Sequence, residues 1–173
     1  MTVGEIAILG VGMHPWGKFA DKSFVDLGVD AATKAMEDAD INWNDIQFVS
    51  GANTVRNGYP GWVSASTFAN ALGFQGSQLA SSYAACASGA TALSIARAQI
   101  LSGVCDVALV VGADQVPKGM FAPVPGERPD DVDWLRFHLI GLSNPAYFGL
   151  FARRRMALYG DTQDDFAAVK VKN

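Results

Sequence analysis

Apolar residues recur along this chain in two rhythms. Short, nearly uninterrupted apolar runs alternate with stretches where apolar residues return every third or fourth position. The runs cover residues 5–11 (closed by Gly10 and Gly12), 46–50, 78–83 and 106–112, and each predicts a strand. The last shows no polar alternation, the pattern of a strand covered on both faces. Ser23 predicts the N-cap of a helix running to about Asp38, with Phe24, Leu27, Ala31 and Ala35 along one side. Residues 63–72 predict a short helix ended by Gly73. The alanine-rich run after Cys86 predicts another, buried through Ala92, Leu93, Ala96, Ile100 and Leu101 and stopped at Gly103. Strands separated by helices imply an α/β fold, a mostly parallel or mixed sheet with helices on both faces.

After Asp114 the texture changes. Residues 117–133 hold four prolines and several carboxylates, an irregular excursion. Residues 134–142 are too apolar for a free loop and are expected to pack on something. A helix over 144–159 with Gly160 as its stop is predicted next. Asp161 and Thr162 then open a last helix carrying Phe166 and Val169. This divides the chain into a core, residues 1–116, and a second region, residues 117–173. No internal repeat is present.

Composition narrows the function classes. Half of the 173 residues are hydrophobic and 17% are charged, which fits an ordered domain with a real core. A formal net charge of −4 argues against nucleic acid or an anionic membrane as partner. No apolar run reaches the length of a membrane span, and the N-terminus lacks the basic region of a signal peptide. The two cysteines, Cys86 and Cys105, offer neither a disulfide framework nor metal-ligand spacing. A reducing, cytoplasmic setting is therefore expected. The glycine pair at Gly10 and Gly12 does not make a dinucleotide-binding loop, because the third glycine is missing and Pro15 stands where a helix would open.

The chemistry concentrates on Cys86. It falls at a strand-to-helix junction, followed by Ser88 and Gly89, whose small side chains expose the turn. A thiol there lies beside the helix N-terminus, where unpaired N–H groups favour a thiolate. Strand carboxyl ends are also where parallel sheets carry function. A nucleophile needs a base, and the only histidines are His14 and His138, neither flanked by residues that mark it as catalytic. Asp130, Asp131 and Asp133 read as solvated or capping residues, Arg153–Arg155 as a charged helix face, and Cys105 as a small core residue.

Residues 86–93 (Cys-Ala-Ser-Gly-Ala-Thr-Ala-Leu), with 98–103 and 106–114 (Asp-Val-Ala-Leu-Val-Val-Gly-Ala-Asp), resemble the N-terminal half of the thiolase superfamily. Residues 144–150 and 153–160 narrow the likeness to the sterol-carrier-protein-x branch, often labelled lipid-transfer proteins, which includes thiolases and steroid side-chain aldolases. The resemblance runs from the first strand to the last residue. It implies a thiolase-like N-terminal half, incomplete without a second half of similar fold, with residues 117–173 a truncated loop-domain insertion. It implies Cys86 as the acyl-accepting catalytic residue, a coenzyme A thioester as substrate without a tightly bound cofactor, and a homodimer. The reaction it implies is retro-aldol cleavage of a steroid or lipid side-chain CoA thioester, or thiolysis of a 3-ketoacyl-CoA. Thiolases commonly carry Asn three residues before the cysteine, and here that residue is Tyr83. This favours the aldolase relatives, which work with a small CoA-ester-binding partner protein. The competing expectation is a non-catalytic subunit that offers a thiolase-like surface to a CoA-ester-binding partner.

Overall fold

The computed structural model describes residues 6–54, 63–115 and 144–172, with residues 130, 132, 135 and 141. The chain forms two compact units, residues 1–117 and 118–173.

The first unit is built on three parallel strands in the order β2-β1-β3: β1 (Phe48–Ala52), β2 (Gln78–Ser82) and β3 (Ala108–Gly112). In register, Ala52 stands opposite both Ser82 and Gly112, so all three strands end at one level. Helix α1 (Phe24–Asp38) precedes the sheet, α2 (Ser64–Leu72) connects β1 to β2, and α3 (Ser88–Leu101) connects β2 to β3. All five β1 residues are buried, as befits a central strand.

One face of the sheet packs on α1 and α2. Val49, Leu109 and Val111 join Phe24, Ala32, Met36 and the wholly buried Phe68 in a single core. Phe24 meets Phe68 edge-on at 5.8 Å. Burying each such large side chain contributes about 1.5–3 kcal/mol. Gly51 is required on this face, because a Cβ there would lie 2.2 Å from the Ala65 nitrogen. The opposite face packs on α3 through small residues. The fully buried Ser50 hydroxyl donates to the Ala92 carbonyl at 2.8 Å, an approach that larger side chains on α3 would block.

Ser23 caps α1 as expected, and the capping box is complete: Asp26 N–H donates to the Ser23 hydroxyl at 3.3 Å, and Ser23 N–H donates to Asp26 Oδ2 at 2.7 Å. The backbone and hydroxyl donors of Ser23 hold the Asp26 carboxyl below its ordinary value of 3.8. The helix stops at Gly73 and Gly160 also stand where the sequence places them.

Three expectations are corrected. Residues 6–11 form no strand. They run extended along α1, with Gly10 and Gly12 against the backbone carbonyls of Ala35 and Ala31, where a Cβ would come within 2.4 Å and 2.2 Å. The Val11 N–H finds Asp38 at 2.9 Å instead of a ladder partner. The glycines that look like the end of a strand serve this close helix contact. The buried stripe of α1 is Phe24, Gly28, Ala32 and Met36, with Ala31 and Ala35 turned toward residues 6–12. The second correction concerns β3, which alternates after all: Leu109 and Val111 are buried, while Val110 stays 36% exposed. On α3, finally, only Ser88, Ala92 and Ala96 are buried, and Leu93 is 53% exposed. Both of these follow from one feature. Residues 6–12, α1, α3 and the outer edge of β3 border a cavity of about 580 Å³, lined by Leu9, Ala35, Leu93, Ile100 and Val110 among others. The apolar side chains predicted to be buried there face this space.

In the second unit, α4 (Asn144–Tyr159) and α5 (Gln163–Lys172) match the expected helices. Thr162 and Asp165 cap α5 reciprocally, with Thr162 N–H donating to Asp165 at 2.7 Å. Tyr147, Phe148 and Phe151 form a ring cluster on α4, the closest pair 4.6 Å apart. The turn-rich residues 56–61 and most of the excursion and apolar stretch over 117–142 lie outside the described residues.

Gly51→Ala is expected to lower stability by about 1–3 kcal/mol through overpacking, read as a fall in the urea midpoint. The α1 cap gives a second test. A carboxyl whose folded pKa is depressed contributes stability above its unfolded value, which disappears as pH falls through the lower folded value. The cap contribution is thus complete at neutral pH and lost below pH 3.8. Melting curves of wild type and Asp26→Asn should converge as the pH falls through that region.

Candidate active site

The parallel register brings the exits of β1, β2 and β3 to one edge of the sheet. Asn53 and Thr54 leave β1, Tyr83 to Ala87 leave β2, and Ala113 and Asp114 leave β3. Cys86 lies in the short 3-10 turn Ala85–Ala87, two residues before α3 opens, and is exposed. The other thiol, Cys105, is only 5% exposed ahead of β3. Burial, with Asp106 adding to it, pushes the Cys105 thiol up from its ordinary range. The two cysteines are therefore placed as the sequence suggests, one presented and one enclosed.

Short polar side chains hold the turn around Cys86. The Ala84 N–H donates to the Ser88 hydroxyl at 2.9 Å, and that hydroxyl donates to the Ala85 carbonyl at 2.7 Å. Ser82, 5% exposed, donates its hydroxyl to the Ser88 carbonyl at 2.9 Å. The Thr54 hydroxyl reaches the Ala85 carbonyl at 3.2 Å from the neighbouring strand exit. These contacts secure a strained backbone: Ala85 has φ +48°, a left-handed conformation that costs an L-residue roughly 1–2 kcal/mol. Strain next to an exposed nucleophile-type side chain is a mark of functional turns.

The strand exits are also tied to one another. Asp114 accepts the Thr54 N–H at 2.8 Å and the Asn53 side-chain amide at 2.9 Å, and the same amide lies 3.0 Å from the Ala113 carbonyl. Asn53 is 3% exposed, and among the described residues its Oδ1 has no hydrogen-bond partner. Sequence reasoning passed over Asn53, Thr54 and Asp114. Their signal was position: polar residues directly after the carboxyl ends of predicted parallel strands.

The remaining described candidates do not gather here. His14 sits in the loop before α1, donating from Nδ1 to the Pro15 carbonyl and accepting from Lys22 at Nε2, both at 2.8 Å. It packs edge-on against Phe19 at 4.6 Å, so it is a turn residue. Asp130 is exposed, and His138, Asp131 and Asp133 lie outside the described residues. Arg153–Arg155 are exposed on α4 in the second unit, with Arg155 paired to Asp161 and over the Tyr159 ring. Tyr83 is 38% exposed at the end of β2. Among the described residues no three His, Cys, Asp or Glu side chains gather as a metal site, and no helix is long and apolar enough to cross a membrane.

Comparison with known proteins bears on the same edge. Residues 6–123 match the family model described as thiolase, N-terminal domain. The chain is 31% identical over 164 residues to an acetyl-CoA acetyltransferase of Methanocaldococcus jannaschii, covering 94% of the chain and 41% of that protein. It is 29% identical over 188 residues to sterol carrier protein 2 of Homo sapiens, covering 99% of the chain and 33% of that protein. The chain thus spans less than half the length of these curated relatives. Among solved structures, Xanthomonas campestris OleA superposes with a TM-score of 0.51 at 26% identity over 56% of this chain and 29% of OleA. The priming β-ketosynthase of the R1128 polyketide pathway does so at 0.51 and 28% identity over 57% of this chain and 29% of its own.

With Ellman's reagent, the native protein should show one fast-reacting thiol, and Cys86→Ala should remove it. Cys105 should react only after denaturant is added; two fast thiols in the native protein would contradict this placement.

Proposed function

The chain belongs to the thiolase N-terminal domain family, and from that premise we propose that it supplies the nucleophile-bearing part of an enzyme acting on carbon–carbon bonds of acyl-CoA thioesters. The carrying observation is the exposed Cys86 in a clamped, strained turn at the carboxyl edge of a parallel sheet. In the thiolytic direction the Cys86 thiolate attacks the 3-keto carbonyl of a 3-ketoacyl-CoA. The bond between C2 and C3 breaks, the acyl group stays on sulfur, and the acetyl-CoA enolate takes up a proton. A coenzyme A thiol then attacks the acyl-enzyme, releases the shortened acyl-CoA and returns the thiolate. Backbone N–H groups stabilise the developing oxyanion. The groups that move the protons come from a second half of the enzyme, since His14 is engaged elsewhere. The active form is a homodimer joined through the exposed outer edge of β2.

One observation favours a second reading. Tyr83 occupies the position where thiolases commonly carry Asn, which fits retro-aldol cleavage of a steroid or lipid side-chain CoA ester, assisted by a small CoA-ester-binding partner protein. In that reaction a base removes the β-hydroxyl proton, the C2–C3 bond breaks, and a ketone or aldehyde leaves with a shorter CoA ester. Cys86 is then a pocket residue.

Cleavage assays on the full-length protein with Cys86→Ala separate the two. The thiolase reading predicts a loss of about three orders of magnitude or more in kcat, the scale for removing a covalent nucleophile. Activity surviving Cys86→Ala rejects that reading and supports the retro-aldol one.

A further inference from the structure

The exits of β1 and β3 do more than terminate the sheet. Asp114, one residue past Ala113 at the end of β3, takes the Thr54 N–H on both carboxylate oxygens, at 2.8 Å and 3.0 Å, and the Asn53 amide at 2.9 Å. This fixes the backbone of Asn53 and Thr54 as the chain leaves β1. The Asn53 N–H in turn donates to the Ser82 carbonyl at 3.4 Å, extending the β1–β2 pairing by one bond toward the turn. Thr54, held in this way, sends its hydroxyl to the Ala85 carbonyl at 3.2 Å. Ala85 is the residue at φ +48° and the immediate predecessor of Cys86.

We propose that Thr54 and Asp114 are positioning residues for Cys86, with Asp114 orienting Thr54 and Thr54 orienting the peptide that joins Ala85 to Cys86. This deepens the reading of Cys86 as the presented nucleophile and rests on it. The physical link is the planarity of the peptide bond. No described peptide is cis, so anchoring the Ala85 carbonyl on Thr54 and Ser88 directs the Cys86 N–H to the opposite side. The direction of the Cys86 backbone amide is thereby set, and the 3-10 turn that holds its φ carries that orientation on to the Cα–Cβ bond, ahead of the N-terminus of α3. Ser88 opens α3 directly after the turn and moves with it; Thr54 is the anchor from outside. Its hydroxyl ties the turn to the rigid central strand, so the thiol keeps its place relative to the sheet.

The test is the second-order rate at which iodoacetamide alkylates Cys86 in the full-length protein, followed by mass spectrometry of the Cys86 peptide. It compares wild type, Thr54→Val, Thr54→Ser and Asp114→Asn, with melting curves recorded on each. Thr54→Val removes the donor and keeps the shape, and Thr54→Ser restores the donor. The expected result is a fall of about threefold or more in Thr54→Val and Asp114→Asn, with Thr54→Ser near the wild-type rate. If Asp114→Asn fails to fold, the valine and serine pair decides. A wild-type rate in Thr54→Val overturns the proposal, as does a Thr54→Ser rate as slow as the valine. These outcomes are separate from the fate of the thiolase reading. Cleavage activity that survives Cys86→Ala removes the nucleophile role, while the alkylation rates still report whether Thr54 positions the turn.

Discussion

The parallel register of β1 with its two neighbours is the constraint on which the rest of this fold depends. Because Ala52, Ser82 and Gly112 fall at one level, three loops that are far apart in sequence emerge side by side. A shift of one strand by a residue would turn its buried side chains to the other face. A shift of β1 would also break the Thr54–Ala85 and Asn53–Asp114 contacts together. The register is itself held by packing. Gly51 admits the backbone of α2 on one face, and Ser50 binds the Ala92 carbonyl of α3 on the other. The site is thus a consequence of how closely two helices approach one strand.

Local signals made much of this legible in the sequence. Ser23, Gly73, Gly160 and Thr162 mark helix ends through capping and left-handed turns, which depend on a few neighbouring residues, and the structure places them where the sequence does. Cys86 at a strand-to-helix junction was legible for the same reason. What depended on distant partners was not. The run 5–11 has the composition of a strand, yet its glycines serve α1, and nothing local distinguishes the two uses. The exposure of Leu93 and Val110 reflects a cavity whose walls come from four separate segments. Asn53 and Thr54 carry no motif and Asp114 only closes the run 106–114; the sheet is what brings the three to the turn of Cys86.

The cavity beside β3 and the thiolase-family resemblance point the same way. Among the described residues no strand pairs with the outer edge of β3, and an apolar edge of that kind invites association; the chain spans less than half of its curated relatives. For the thiolase reading proposed above, the described residues supply an exposed thiol, a strained turn and an anchor beside the central strand.

The most direct test of that account is to incubate the full-length protein with acetyl-CoA, quench in acid, and locate any acyl group by mass spectrometry of the peptides. The account predicts a thioester on Cys86 with release of free coenzyme A. An acyl group on another residue, or turnover of a CoA ester with Cys86 never modified, would contradict it.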